Sequence, residues 1–378
     1  MEAYSARLAK IREWMMDEGI SLLMLEDTES RRDMNIRWLT GHPGDALLFI
    51  GAGELPKESK AVLIAWDVNL ANIYAKHAPV LIGSYNDFGR QPGKAIAAAA
   101  HTLGIPMGSK IEIPSVTPYP LFLEYVGELV DYDIICRQKG AGAELAKLCA
   151  VKDEEEIAIT KKAAEITNEL IDLLETNVRN EKIKTEADAA LFIEMEARRH
   201  GCEGTSFETI AAGPQRSFAI HAFPAWTQAP FGTDGLSILD FGVKYKGYCT
   251  DVTLTFARNL NPKQEKLVTM TEKAAKLALP LCVNGTPAKD IAAAVDTFFN
   301  KSRKKMPHGL GHGIGLQAHE YPIIRNRPDN EWILEPSMIF TIEPGLYDPQ
   351  LGGCRLENDI LVTESGYEVL TTARIIYL

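Results

Sequence analysis

The chain has 378 residues, 46% hydrophobic, 8% aromatic and 24% charged, a composition of globular proteins and not of disordered or fibrous ones. Its formal net charge of −11 argues against a nucleic-acid partner, which would require a basic face. The longest apolar runs, such as AIAAAA and LALPLCV, fall far short of the ~18 residues of a membrane span. One hydrophobic core rarely serves a chain of this length, so two domains are expected.

The first stretch, MEAYSARLAKIREWMMDEG, carries charges throughout and is not read as a secretory signal. Leu8, Ile11 and Met15 instead follow helical spacing, which predicts an amphipathic helix packed on its own domain. The runs SLLMLE, DALLFI, KAVLIAW and KIEIP then alternate with helical segments, the rhythm of an α/β domain over residues 1–145. Beyond that boundary Asp153, followed by Glu156, gives a helix start with acids on the first turn. Ile157, Ala164, Leu170, Ile171 and Leu174 continue its apolar stripe. A second helix opens at Thr185 with Asp188 three residues on and runs to Gly201, a C′ glycine. Two further helices, NPKQEKLVTMTEKAAKLAL and PAKDIAAAVDTFFNKS, open with proline near the first turn. The strand-like runs ETIAA, LSILDFGV, YCTDVTLTF, SMIFTIE and CRLENDILVT make residues 146–378 an α+β domain with an antiparallel sheet. Cys136, Cys149, Cys202, Cys249, Cys282 and Cys354 form no CxxC pair, which reads as reduced thiols in a cytoplasmic protein.

Chemistry concentrates in the second domain. LSILDFGVKYKGYCTDVTLTF reads as a hairpin whose turn centres between Tyr245 and Lys246, with Gly247 relaxing the backbone. Asp240 and Asp251 then face each other, their Cβ atoms ~5 Å apart among apolar neighbours. Either one carboxyl stays protonated or a cation sits between them; a register shifted by one would instead throw one aspartate to the other face. MIFTIEPGLY places Ile339, Thr341 and Glu343 on one face of a strand. GGCRLENDILVT aims Arg355 and Glu357 the same way, a pair that could also be a cross-face salt bridge worth under ~1 kcal/mol. HGLGHGIGLQAHE gathers His308, His312 and His319 where glycines let the backbone approach a site closely. Four carboxylates balance two divalent cations, and an oxygen-rich set with one imidazole favours Mn²⁺ or a similar ion over structural Zn²⁺.

These blocks resemble the pita-bread metallopeptidases: prolidase, aminopeptidase P and methionine aminopeptidase, with creatinase as a metal-free relative. LDFGVKYKGYCTDVTLTF is similar to the block with two metal-binding aspartates, and HGLGHGIGLQAHE to the histidine block. FTIEPGLY and CRLENDILVT are similar to the two glutamate blocks. SFETIAAGPQRSFAIHAFP resembles the block with an upstream active-site histidine, although Ile220 stands where that block usually has proline. MNIRWLTGH and VKDEEEIAITKKAAEIT resemble the proline-specific branch, whose N-terminal domain methionine aminopeptidases lack.

The resemblance implies an α/β N-terminal domain and an α+β pita-bread catalytic domain with a curved antiparallel sheet. It implies that Asp240, Asp251, His312, Glu343 and Glu357 hold two divalent ions, Mn²⁺ ahead of Co²⁺, Zn²⁺ or Fe²⁺. A hydroxide between the ions would be the nucleophile and Glu343 its proton shuttle, while His221 and His319 would stabilise the intermediate or protonate the leaving nitrogen. His308 and Arg355 would contact the proline side of the substrate. The implied substrates are short proline-containing peptides, cleaved at the Xaa-Pro bond by a cytoplasmic homodimer with no membrane partner. The competing readings are a metal-independent creatinase-like amidinohydrolase and a non-catalytic peptide-binding module on the same fold.

Overall fold

In the computed structural model, which describes residues 2–53 and 60–378, the chain divides into two units, Met1–Cys149 and Ala150–Leu378. The first contains α1 (Glu2–Asp17), β1 (Leu22–Asp27), α2 (Asn35–Thr40), β2 (Ala46–Gly51), β3 (Ala61–Ala65), α3 (Val68–Tyr74), β4 (Val80–Ser84), α4 (Pro92–Leu103), β5 (Lys110–Glu112), α5 (Tyr119–Glu128) and β6 (Asp133–Ile135). Helix α6 (Ala141–Ala150) leads out of it. Its strands form one sheet in the order β4-β3-β2-β1-β5-β6. The β1–β2 and β2–β3 pairs are antiparallel and the remaining pairs parallel. Every residue of β1, β2 and β3 is buried, which is why they read as unbroken apolar runs and not as alternating ones. Leu8, Ile11 and Met15 of α1 are buried as their spacing predicts.

The second unit begins with α7 (Glu154–Arg179) and α8 (Glu186–Arg199). Both start in reciprocal capping boxes, Asp153 with Glu156 and Thr185 with Asp188, each such cap contributing about 1 kcal/mol. Gly201, just past α8, has φ 81°, a left-handed conformation that costs glycine little. Strands β7 (Gly204–Thr205), β8 (Ile210–Ala212), β9 (Gly235–Phe241), β10 (Val243–Tyr245), β11 (Tyr248–Cys249) and β12 (Val252–Arg258) follow, then α9 (Pro262–Ala278) and α10 (Ala288–Lys301). Pro262 opens α9 from inside, whereas Pro287 stands outside α10 at its N-cap. The chain closes with β13 (Gly311–Gly313), β14 (Glu320–Ile324), β15 (Ile339–Ile342), β16 (Gly345–Asp348), β17 (Gly352–Arg355), β18 (Asn358–Thr363), β19 (Gly366–Val369) and β20 (Ile375–Tyr377). The run CRLENDILVT is thus two strands, parted at Leu356 and Glu357.

Two hairpins, each seated on its own pair of helices, carry the chemistry. In β9 and β12, Leu239, Phe241, Val252, Leu254 and Phe256 pack on Leu170, Ile171 and Leu174 of α7 and Ile193 of α8. The period of two leaves Asp240, Asp251, Thr253 and Thr255 on the opposite face. In β15 and β18, Phe340, Ile342, Ile360 and Val362 pack with Leu267 and Val268 of α9 and Ile291, Val295 and Phe299 of α10. Thr341, Glu343, Glu357 and Asp359 are left facing away from that core. An isolated β-bridge between Thr253 and Glu357 pairs the two hairpins, and hydrogen bonds between Thr255 and Arg355 join them as well. The six cysteines are free. No helix among the described residues is long and apolar enough to cross a membrane.

The register of the first hairpin corrects the sequence expectation. Tyr245 pairs with Tyr248 and Asp240 with Thr253, so the turn residues are Lys246 and Gly247. Both have positive φ, 47° and 91°, the requirement of the two-residue turn that matches strand twist. Asp251 is therefore diagonal to Asp240 and not opposite it. The partner number moves by two, so both aspartates keep the same face.

Candidate metal centre

Gly242 creates the irregularity that frees Asp251. A Cβ at this position would lie 1.7 Å from Thr250 O, so the backbones approach as only glycine permits. Ladder pairing breaks here: Val243 N donates to Thr250 Oγ1 at 3.0 Å and Ser206 N to Gly242 O at 2.9 Å. Released from the ladder, Asp251 N turns to the Asp359 carboxylate at 3.2 and 3.3 Å. In the second hairpin Ile342 pairs with Asn358 and Gly345 with Arg355. That register sets Glu343 opposite Glu357.

The hairpins bring ligand atoms into three overlapping groups: Asp240, Asp251 and Glu357; His312, Glu343 and Glu357; Asp251, His312 and His319. Within each group the atoms lie within 4.8 Å of one another. Glu357 belongs to the first two groups, Asp251 to the first and third. Burial first, and neighbouring acids second, push the Asp251 and Glu343 carboxyls well above their ordinary range and Glu357 up to about 7. Asp240 Oδ1 is buried with no hydrogen-bond partner, while its other oxygen accepts from Arg355 Nη2 at 2.5 Å. A divalent cation fits this set: hard oxygen donors, excess negative charge, and an oxygen left unsatisfied at its middle.

Glycines bring His312 in on β13. Its Nδ1 donates to Gly313 O at 3.2 Å, leaving the Nε2 lone pair 3.7 Å from Asp251 Oδ2 and 3.8 Å from Glu343 Oε1. Burial pulls its pKa down to about 4, so the ring stays neutral, the form that binds a metal. His319 stacks at a tilt against it, ring centres 4.3 Å apart, and shares the third ligand group with it and Asp251. His221 is exposed, near enough to His308 and His319 for its charge to lower the pKa of both.

The remaining two expected residues are committed elsewhere. His308 Nδ1 donates to Gly309 O at 2.7 Å, so its Nε2 must accept from Tyr347 Oη at 3.0 Å. Only the ring's carbon edges remain for a substrate. Arg355 is 2% exposed and binds Thr253 Oγ1, Ile220 O and Tyr347 Oη at 2.8, 3.0 and 2.8 Å as well as Asp240. It anchors Asp240 and is not an open carboxylate clamp; β17 turns it inward beside Thr253, a tertiary fact that strand alternation alone does not reveal. The residue missed in sequence is Arg325. It is exposed just past β14, its charge acts on both His308 and Glu343, and no side-chain hydrogen bond engages its guanidinium among the described residues. Nothing in the local pattern of YPIIRNRPDN separates it from Arg327.

Comparison with known proteins agrees with the chemistry of the site. The sequence profile of metallopeptidase family M24 matches residues 158–364. An uncharacterized peptidase of Methanocaldococcus jannaschii is 33% identical over 256 residues, covering 67% of this chain and 70% of that protein. The Xaa-Pro dipeptidase from Bacillus anthracis has a similar structure, with a TM-score of 0.83 and 25% identity over 99% of this chain and all of that one. The prolidase from Pyrococcus horikoshii gives 0.81 and 25% identity over 98% and 99% of the two chains. Fold and site together define a metal-dependent peptidase with the pita-bread architecture. The chain belongs to metallopeptidase family M24, whose members depend on divalent metals.

Proposed function

We propose that the protein hydrolyses the Xaa-Pro bond of short peptides with two divalent cations, Mn²⁺ foremost, held by Asp240, Asp251, His312, Glu343 and Glu357. The observation that supports this reading is that two ligand groups share the Glu357 carboxylate, so one acid would help to hold both ions. Bound there, the ions would supply a Lewis acid and a water acidic enough to ionise near neutral pH.

The chain's own residues supply the rest. Glu343, just past the end of β15 and opposite Glu357, is the carboxylate that would take up and pass on the proton released in the reaction. An Xaa-Pro nitrogen carries no hydrogen, so it must be protonated to leave. His221 and His319 are the imidazoles available to donate to it or to the developing oxyanion. Arg325 takes the part first expected of Arg355, meeting the carboxylate at the proline end. The carbon edge of His308 forms a wall beside it. Arg355, through Asp240, and Thr253, through Glu357, hold acids in place. The likeness to an Xaa-Pro dipeptidase and to a prolidase favours dipeptides as substrates, and a cytoplasmic homodimer remains part of this proposal.

The test compares Ala-Pro with Ala-Pro-Ala as substrates, before and after exhaustive chelation and Mn²⁺ readdition, with metal content measured on the same sample. Cleavage of Ala-Pro that disappears with the metal and returns with it is expected. In Asp251→Ala, turnover should vanish and less than one equivalent of metal remain. Full activity after complete metal removal would replace this reading with metal-independent hydrolysis.

A further inference from the structure

The loop 213–227, between β8 and β9, carries His221 and has almost no regular structure, yet one buried carboxylate closes its neck. Glu186, the first residue of α8, is fully buried. Its Oε1 accepts from Gly213 N at 2.7 Å, where the loop departs. Its Oε2 accepts from Thr227 N at 2.8 Å and Thr227 Oγ1 at 2.6 Å, where the loop returns. Arg216, inside the loop, ion-pairs with the same Oε2 and reaches across to Pro224 O. Among the described residues no other side chain holds both ends of the loop and its middle at once.

The clamped loop meets the active-site side of the unit at two points. Ser217 Oγ accepts from Gly353 N at 3.1 Å, and Cβ atoms on Gly352 and Gly353 would stand 2.7 and 2.1 Å from Ser217 atoms. Ile220 O accepts from Arg355 Nη1 at 3.0 Å, the guanidinium that anchors Asp240. His221 follows directly, exposed beside His308 and His319. A first-turn acid on a helix ordinarily serves the helix dipole in water. A fully buried one with four donors is fixed by its partners and fixes them in turn.

We infer that Glu186, with Arg216, is a positioning residue that sets His221 and the Ile220 carbonyl against the catalytic centre. The inference rests on the proposed role of His221 in turnover. Glu186 touches neither substrate nor any proposed metal ligand; it acts through the loop.

The test is a double-mutant cycle on the full-length, metal-loaded enzyme. Glu186→Gln keeps the shape but faces the Gly213 and Thr227 donors with an amide. Metal content should match wild type, and kcat on Ala-Pro should fall at least ~10-fold, with less than ~2-fold further loss when His221 is already Ala. In the metal-free protein, amide hydrogen exchange should accelerate within 213–227 and not in α7 or β12. Should Glu186→Gln fail to fold, Arg216→Lys gives the same comparison, since it keeps a cation for Glu186 but cannot also span to Pro224. Wild-type kcat in the clamp variant, or an equal loss with and without His221, overturns the clamp. Full activity of His221→Ala overturns the reading of His221 itself, and this inference with it.

Discussion

Thr253 donates its hydroxyl to Glu357 Oε2 at 2.7 Å and accepts from Arg355 Nε at 2.8 Å. The same pair, Thr253 and Glu357, forms a backbone bridge between the two hairpins. A fully buried threonine therefore orients the acid shared by two of the three ligand groups. Thr253→Val preserves shape and removes the hydroxyl. Metal affinity should fall roughly 10–100-fold, the usual effect of losing a group that orients a ligand. Titration of the chelated protein with Mn²⁺ measures it; unchanged affinity would show that Glu357 needs no such support.

Gly242→Ala should unfold the site from the backbone outward. The added Cβ would stand 1.7 Å from Thr250 O and 2.8 Å from Ser206 Oγ, and the first of these is backbone, which cannot swing aside. Destabilisation of about 3 kcal/mol or more is expected, lowering Tm by roughly 6–12 °C in a unit of this size. Calorimetry on the metal-free protein separates this effect from metal linkage.

The metal-free protein should lose stability as pH rises from 6.5 to 8. The Glu357 carboxyl is raised by burial from 4.5 to about 7, with Asp251 and Glu343 raised as well. Groups so raised bind more protons folded than unfolded, so their contribution is full at low pH and disappears as pH climbs through the folded value. Glu357 alone, with its folded value at about 7, has given up most of its share by pH 6.5 and loses under ~1 kcal/mol between pH 6.5 and 8, so Asp251 and Glu343 carry the decline. His308 and His312, both lowered to about 4 by burial, act in the opposite sense, and each has only about 0.4 kcal/mol still to add above pH 6.5, where the unfolded imidazole is half protonated. Metal-loaded protein should show no such decline, because the acids are then held ionised. Thermal melts of chelated and loaded samples at the two pH values decide it.

Arg325→Ala should raise KM for Ala-Pro by about 10–100-fold, the worth of one hydrogen bond between charged groups. The same substitution should leave the C-terminally amidated peptide unaffected. An equal change for both peptides would remove Arg325 from carboxylate recognition.

Much of this was legible in the residues because period-two alternation is a local property. The ligand faces of β9, β12, β15 and β18 follow from where their apolar neighbours must go, whichever residue pairs with which. The hairpin register was not local in that sense: the turn lies one residue later than expected, since Lys246 accepts the left-handed conformation beside Gly247. Asp240 and Asp251 nevertheless share a face because a partner shift of two preserves parity. For Arg355, strand alternation gives a direction and not a neighbour; only the fold shows Asp240, Thr253, Tyr347 and the Ile220 carbonyl around its guanidinium. Glu186 was hidden for a related reason. In sequence it follows a capping threonine like any first-turn acid, and its partners lie 27 to 41 residues away along the chain.

Each hairpin rests on a separate helical base, and the acids that would grip the ions come from both. Cation affinity is thus a gauge of alignment between two packed bodies. Trimming Phe299, deep under the second hairpin and distant from any donor oxygen, would tilt one jaw against the other while leaving every ligand chemically intact. Such an enzyme would remain folded and still release its ions, so faults remote from the centre would surface as a requirement for more added metal.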